Sequence, residues 1–237
     1  MAHQTEKRVS IFDNPAYPVS EVARILNLPV ATVKSWCFGQ IYHSASGSKK
    51  IFKPIIRPAE ARRRLLSFAN LCELHVLSVI RRHHKISLPR VRDSVNYLRK
   101  HLNVDRPLIN QQFHTNGIDL FVEHASQLLN VSREGQEALR GGFEQALARI
   151  ERDSQGTPIR LFPFSRTSVS DAKQPKSVVI DPQLSFGRPV LARVAVPTEV
   201  IVGRFRAGDS MVEMAKDYGV DEKEIEEALR FEQRLAA

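Results

Sequence analysis

Cysteine and long apolar runs are scarce in this sequence, and each scarcity excludes a class of protein. The 237 residues contain two cysteines, Cys37 and Cys72, which are too few for a disulfide framework. The sequence has no run of about 18 apolar residues and does not start with an apolar segment of the signal-peptide type. We therefore expect a protein of the reducing cytoplasm that does not associate with a membrane.

Sequence motifs of catalysis are missing as well. The chain has no G-x-S-x-G element, no glycine-rich phosphate loop and no paired carboxylates near its basic tract. Cys72 and His75 have a spacing that suits a metal, but a zinc site needs about four ligands and Cys72 falls on an apolar stripe. The sequence thus predicts a protein that is not an enzyme and that holds no metal or cofactor. A nucleic-acid enzyme, one alternative, would require clustered acidic metal ligands.

The charge of the chain is divided unevenly between its two parts. The whole chain carries a formal net charge of +9. Residues 1–167 hold 25 Lys and Arg against 14 Asp and Glu, a net of +11, whereas residues 178–237 hold 8 against 11, a net of −3. Because Lys and Arg displace counterions from phosphates, this division indicates nucleic acid as a partner of the first part and protein as a partner of the second. The alternative is a soluble basic protein without such partners.

A stretch rich in Ser and Lys, residues 165–177, separates these two parts. It has few large apolar residues, so we expect an exposed linker. The chain is accordingly divided into a first domain at residues 1–167, a linker at 168–177 and a second domain at 178–237. Helical periodicities with a few short strand signals predict a mainly α fold of the α+β class.

The N-terminal region has the spacing of a helix-turn-helix motif. A first short helix through Leu26 leads to the turn at residues 28–29, and residues 31–36 form the second helix. Thr32, Lys34 and Ser35 face outward on this second helix, which is the element that enters the major groove in such motifs. The alternative is an ordinary helical hairpin.

A β-hairpin with a flexible basic tip follows the second helix. Its strands are residues 41–43 and 49–53, and the turn-forming residues 44–48 lie between them. Such a wing places cations beside phosphates or in the minor groove, which fixes register rather than sequence. The predicted DNA contacts outside the second helix are Lys49, Lys50, Lys53, Arg57, Arg62, Arg63 and Arg64. For about half of these cations, a merely solvated charged face remains the alternative.

Two further helices complete the pattern of a known DNA-binding domain. Apolar residues recur at helical spacing over residues 68–84, and again from residue 87 to residue 102. Together with the preceding motif and hairpin, residues 17–102 resemble a MerR-type winged helix-turn-helix domain. The resemblance implies binding to double-stranded DNA.

The middle of the chain predicts an α/β extension of this domain. Asn116-Gly117, between the apolar residues 109–114 and 118–122, is a strong signal for a hairpin turn. A helix is expected over residues 133–152. Residues 158–164 predict an exposed edge strand, because their prolines cannot donate to a ladder.

The last sixty residues read as two short strands followed by three capped helices. Pro197 suits a first helical turn and Gly208 suits the position just past its end. Ser210 with Glu213 has the spacing of a capping box, as has Asp221 with Glu224. The last helix is acidic on its outer face, so we expect a trihelical module for protein contacts.

This C-terminal region also resembles a known family. Residues 178–182, 186–190, 196–197, 206–210 and 217–220 are similar to the antitoxin-type helix-turn-helix family long catalogued as a domain of unknown function. The resemblance implies a VapB-like antitoxin of a type II toxin-antitoxin system, which neutralises a PIN-like ribonuclease toxin and represses its own operon by binding operator DNA. The alternative is a MerR-like transcriptional regulator that responds to a small-molecule effector.

Two hypotheses concern assembly. Repressors commonly read two half-sites, and the C-terminal module holds more apolar surface than so small a core can hide, so we expect a homodimer formed through that module. The toxin is expected to bind the segment that contains Arg160, Phe162, Phe164 and Arg166, with the aromatic side chains as anchors. Burial of those aromatic residues in the core of the first domain is the alternative, and the acidic C-terminal helices are a further possible toxin surface.

Overall fold

The computed structural model describes residues 10–43, 49–83, 88–129, 132–165 and 174–233. Within these ranges nine α-helices contain most of the residues in regular structure, and the strands form four two-stranded antiparallel sheets. The predicted mainly α, α+β class is confirmed.

The chain begins with the predicted helix-turn-helix. The strand β1 (Tyr17–Pro18) leads into α1 (Val19–Leu26), and α2 (Val30–Phe38) follows after three residues. Asn27 adopts the left-handed conformation, with φ of 51°, and ends α1. The amide of Leu28 then donates to the carbonyl of Ala23 at 2.9 Å, which fixes the turn. Apolar side chains from both helices are fully buried, Trp36 among them.

The expected wing is present. The strands β2 (Gln40–His43) and β3 (Lys49–Phe52) pair antiparallel, with Ile41 opposite Ile51. The predicted turn at residues 44–48 lies outside the described residues. A further strand, β4 (Leu65–Leu66), pairs with β1 and returns the chain to the start of the helix-turn-helix.

The central helix α3 (Phe68–His83) is enclosed over the part whose burial is described, where the sequence predicted an amphipathic helix. Every residue from Phe68 to Ser78 is buried, although the sequence pattern predicted one polar face. The polar side chains inside are satisfied locally: Asn70 donates to Glu73 at 3.0 Å, and the Ser78 hydroxyl donates to the His75 carbonyl at 2.7 Å. The next helix, α4 (Leu88–His101), follows in the chain, as expected.

The predicted hairpin at Asn116-Gly117 is wrong. These residues end a π-helical turn, residues 113–117, that runs directly into α5 (Ile118–Leu129). A Cβ on Gly117 would lie 2.8 Å from the Phe113 side chain, so the glycine serves close packing and not a positive φ. Phe113 and Phe121 are each fully buried against Phe143 of α6 (Arg133–Leu147), and this aromatic cluster outweighs the local turn preference.

The remaining elements form a β-hairpin and a capped trihelical module. They are β5 (Ile150–Arg152), β6 (Pro158–Leu161), β7 (Val178–Val179), β8 (Val190–Leu191), α7 (Thr198–Ala207), α8 (Met211–Tyr218) and α9 (Glu222–Gln233). The helix predicted over residues 133–152 is shorter, because the chain turns into β5 after Leu147. Ser210 and Glu213 form both bonds of the expected capping box.

Predictions of exposure are contradicted at particular residues where the first and second parts of the chain meet. Within the expected linker at residues 165–177, Ser165 and Gln174 are buried and Lys176 is exposed, while residues 166–173 lie outside the described residues. The expected edge strand is covered too: Leu161, Phe162 and Phe164 are at most 9% exposed. A backbone bridge between Leu161 and Ile180 adds the C-terminal part to this strand, which is why its edge is not free.

A buried arginine organises this junction. Arg149 is 6% exposed, and its guanidinium donates to the backbone carbonyls of Phe162, Pro163, Gln174 and Pro175. Two of these carbonyls precede residues 166–173 and two follow them. One side chain, two residues after the end of α6, thus joins the segment before residues 166–173 to the segment after them.

Side-chain bonds at three other points join the same two parts. The Tyr17 hydroxyl donates to the Gly187 carbonyl at 3.2 Å. The Ser165 hydroxyl donates to Glu227 of α9 at 2.6 Å, and Arg24 of α1 forms an ion pair with Glu232 at 2.8 Å. The C-terminal module therefore lies directly on the helix-turn-helix.

Arg149→Met should lower the free energy of unfolding by about 3 kcal/mol or more, because the carbonyls that stay buried would have no donor. Urea denaturation measures the decrease. Arg140→Met, on α6, is the matched control, since it removes only an exposed ion pair with Asp119 and should cost less than about 1 kcal/mol. Equal decreases in the two variants would contradict the role of Arg149.

Candidate nucleic-acid interface

Three polar residues of α2 were predicted to face outward, and the structure divides them. Lys34 is exposed and Thr32 is half-buried, whereas Ser35 is only 7% exposed. Ser35 lies one turn before the end of a helix whose inner face carries Val33, Trp36 and Cys37, and the helix turns it inward with them. The prediction for Ser35 is therefore wrong, and Lys34 is the cation that α2 presents to solvent.

The wing has one covered face and one open face. Ile41 and Ile51 lie opposite each other and are 56% and 67% exposed. Phe52, on the other face, is buried beneath Arg92 of α4, whose guanidinium lies 5.0 Å from the ring centroid and donates to the Lys53 carbonyl at 3.4 Å. These two exposed isoleucines form an apolar contact surface that was not predicted from the sequence.

The wing is fixed to the end of α2 by backbone bonds. The amides of Ile55 and Ile56 both donate to the Trp36 carbonyl, at 2.7 and 3.1 Å. Asn70 of α3 then holds the following residues, since its amide donates to the Arg57 carbonyl at 2.8 Å and its oxygen accepts from the Ala59 amide at 2.9 Å. The exposed residues Lys53 and Arg57 thus have fixed backbone positions relative to Lys34.

We call Lys53, Arg57, Arg92 and Arg99 the wing base. Arg92 and Arg99 were not predicted, because the sequence places them on α4, far from the wing in the chain. Burial lowers the pKa of Arg99, and the nearby positive charge of Arg57 lowers it further. Asp105 offsets this repulsion, since its carboxylate accepts from Arg57 at 3.2 Å and its backbone carbonyl accepts from Arg99 at 3.2 Å.

The other predicted DNA contacts stand apart from this group or lie outside the described side chains. Arg62, Arg63 and Arg64 are exposed on a separate loop, closed by the bridge between Glu60 and Leu65. The side chains of Lys49 and Lys50 lie outside the described part, although their backbone begins β3.

Of the four residues predicted to bind a toxin, the three that the structure describes are not brought together on an open surface. Phe164 stacks on His75 with ring centroids 5.1 Å apart, and Phe162 lies beneath Lys176 at 5.0 Å. Arg160 is about half exposed and pairs with Asp181 at 2.9 Å, while Arg166 lies outside the described residues. The burial of both aromatic rings favours the alternative that they belong to the core.

No metal-binding arrangement is seen in the described part of the chain. Cys37 and Cys72 are both buried, and burial raises the pKa of each thiol. Among the described residues, no three His, Cys, Asp or Glu side chains are grouped as a metal site would require. Within the same ranges, none of the helices combines the length and apolarity needed to cross a membrane.

Comparison with family models defines the class of each part. Residues 15–95 match the model described as "Putative DNA-binding HTH domain", and residues 178–231 match the model described as "Protein of unknown function (DUF433)". The first part of the chain is therefore similar to a helix-turn-helix domain, and the last part is similar to the second family. Both resemblances expected from the sequence are confirmed.

Individual proteins from Mycobacterium tuberculosis match nearly the whole chain. "Putative antitoxin VapB45" of strain ATCC 25618 / H37Rv is 29% identical over 236 residues, covering 92% of this chain and 94% of that protein. "Uncharacterized protein Rv2308" of the same strain is 24% identical over 229 residues, covering 94% and 92%. The crystal structure of Rv2018 has a TM-score of 0.65 at 22% identity, covers 92% of this chain and 99% of that chain, and has the same fold.

Lys34→Ala should weaken binding to a target duplex by about 1 to 3 kcal/mol, because it removes the exposed cation of α2. Ser35→Ala, at the next position, should change the affinity by less than about 0.5 kcal/mol, because that side chain is buried. Fluorescence anisotropy at fixed salt measures both, and thermal melting checks that the variants fold. Unchanged binding in Lys34→Ala would remove α2 from the interface.

Proposed function

We propose that this protein is the antitoxin of a type II toxin-antitoxin system. It binds operator DNA of its own operon through α2 and the wing, and it neutralises a PIN-like ribonuclease toxin by direct binding. It acts as a homodimer and has no catalytic activity of its own. The observation that supports this most is the match to a relative named as an antitoxin over more than nine-tenths of both chains.

The described surface suits the DNA-binding half of this proposal. Lys34 supplies a donor on the helix that would read the major groove. Lys53 and Arg57 flank it on a wing whose backbone is fixed to the end of α2. Cations in such positions hold the protein in register on the phosphates, and the exposed Ile41 and Ile51 offer contacts to sugars or base edges.

Replacing Lys49 and Lys50 together by alanine should weaken binding to all sequences by a similar factor. The slope of log affinity against log salt should become shallower by about one unit for each phosphate that the two lysines no longer neutralise. The matched control replaces Lys216 and Lys223, two exposed lysines of the C-terminal helices, and should leave the slope unchanged. Salt titrations on target and random duplexes distinguish the outcomes, and an unchanged slope in the wing variant would contradict its role.

The toxin-binding half is supported by the acidic charge of the C-terminal module and by its resemblance to antitoxins. We propose that Arg160 and Arg166 contact the acidic centre of the toxin, and that Phe162 and Phe164 hold the segment in place from within the core. Arg160 is accessible for this role, since its side chain is about half exposed, although the Asp181 carboxylate with which it pairs is buried.

Replacing Arg160 and Arg166 together by alanine should abolish growth rescue when the ribonuclease encoded beside this gene is co-expressed. Operator binding should be retained, because neither arginine belongs to α2 or the wing. Thermal melting serves as a check on folding, since the loss of Arg160 removes one partner of the buried Asp181 carboxylate and leaves it the bond from the Gln183 amide. Phe162→Ala is a poor test of docking, since it should cost about 3 to 5 kcal/mol of stability. Full rescue by the double variant would place the toxin on another surface.

A cavity gives a specific reason to keep the effector-binding regulator as a second candidate. It measures about 520 Å³ and is lined by residues 104–106, 109–112 and 155–158. A neighbouring cavity of about 380 Å³ shares Asp105 and Arg106 with it and also contains Arg57 of the wing base. Release of operator DNA by a small molecule, with no ribonuclease present, would favour this candidate over the antitoxin.

A further inference from the structure

Exposed apolar side chains are concentrated in one short stretch of the chain. Nine large apolar side chains are exposed in the described ranges, and five of them lie between residues 186 and 212. They are Phe186 at 95%, Val200 at 41%, Phe205 at 42%, Met211 at 36% and Val212 at 58%. Such a concentration on a small module is typical of a surface that another protein covers.

The outer face of α7 is small and apolar at its centre. Val200, Gly203 and Ala207 follow one another at helical spacing and are all exposed. Glycine is unfavourable in a helix interior, and a Cβ at Gly203 would meet no atom of this chain within 4 Å. Nothing in the chain itself therefore requires glycine here, whereas the close approach of a second helix would.

A strained loop presents Phe186 beside the N-terminal end of this helix. Ser185, Phe186 and Gly187 have φ values of 46°, 57° and 78°, which is unfavourable for the first two. The Tyr17 hydroxyl holds the loop through the Gly187 carbonyl. Arg188 then pairs with Glu199 of α7 at 2.7 Å. The aromatic ring is thus held in solvent at one end of α7, and Met211 and Val212 follow its other end.

The charges on this face are complementary to a copy of the same face. Glu199 precedes Gly203 by four residues and Arg206 follows it by three, and both are exposed. Among the described residues, Arg206 has no ion pair. If a second α7 crosses antiparallel at Gly203, Glu199 of each copy lies near Arg206 of the other. The antiparallel arrangement also aligns the helix dipoles favourably.

We propose that two copies of this chain associate through α7, antiparallel about a two-fold axis that passes beside Gly203. Phe186 of one copy then lies against Met211 and Val212 of the other, so the exposed apolar side chains at the two ends cover each other. This proposal rests on the homodimer of the proposed function and identifies the surface through which that dimer forms. This face carries one negative residue, Glu199, and one positive residue, Arg206, on opposite sides of Gly203. A partner surface with charges of only one sign would be complementary to one of them and would repel the other.

Cross-linking through Gly203→Cys tests the position of the axis. Only residues next to a two-fold axis meet their own copies within the roughly 4.4 to 6.8 Å between Cα atoms that a disulfide requires. Under mild oxidation the full-length variant should run as a covalent dimer on non-reducing gels. The native Cys37 and Cys72 are buried and give little background. Gly141→Cys, at another open mid-helix glycine, should stay monomeric on the same gels.

Phe186→Ser should raise the dissociation constant of the dimer about tenfold or more in sedimentation, without lowering the melting temperature of the monomer, because the ring touches solvent and not the core.

A full-length dimer that does not cross-link through Gly203→Cys would place the axis elsewhere, contradicting this arrangement but leaving the operator-binding proposal intact. A chain that binds the operator as a monomer would overturn the dimer itself. Failure of toxin neutralisation in Phe186→Ser with an unchanged dimer would assign this surface to the toxin and contradict the proposal.

Discussion

The buried guanidinium of Arg149 is the interaction on which the arrangement of the two parts depends. Its donors reach carbonyls on both sides of residues 166–173, so the strand that ends the first part and the strand that begins the second share one anchor. A buried charge is costly unless it is hydrogen-bonded, and four of the five N–H donors of this guanidinium reach these carbonyls. The bridge between Leu161 and Ile180 continues the same junction in the backbone.

The junction also relates the two proposed binding functions in space. Glu232 of α9 accepts from Arg24 of α1 at 2.8 Å and from Thr198 at the start of α7 at 2.5 Å. One carboxylate therefore touches the first helix of the helix-turn-helix and the helix that we assign to dimerisation. Because such contacts fix orientation, a dimer formed through α7 sets the distance and angle between two copies of α2. That distance is what a two-fold operator would select.

Local sequence signals predicted local structure well in this chain. Ser210 and Glu213 form their capping box because both partners lie within one helical turn, and the wing follows from alternating residues around a turn. The hairpin predicted at Asn116-Gly117 was wrong because Phe113 and Phe121 pack on Phe143, which lies about 20 to 30 positions further along the chain. A local sequence pattern does not contain such a contact. Arg92 was missed for the same reason, since only the fold places it over Phe52.

Footprinting of the purified protein on the DNA upstream of its own gene, with and without the proposed ribonuclease toxin, tests the central claim most directly. The account predicts protection of two half-sites related by a two-fold axis and spaced by about one helical turn, or a multiple of it, of roughly 10 base pairs. It also predicts that the ribonuclease joins this complex and is inactive in it. Protection of no discrete site, together with full ribonuclease activity in the mixture, would contradict it.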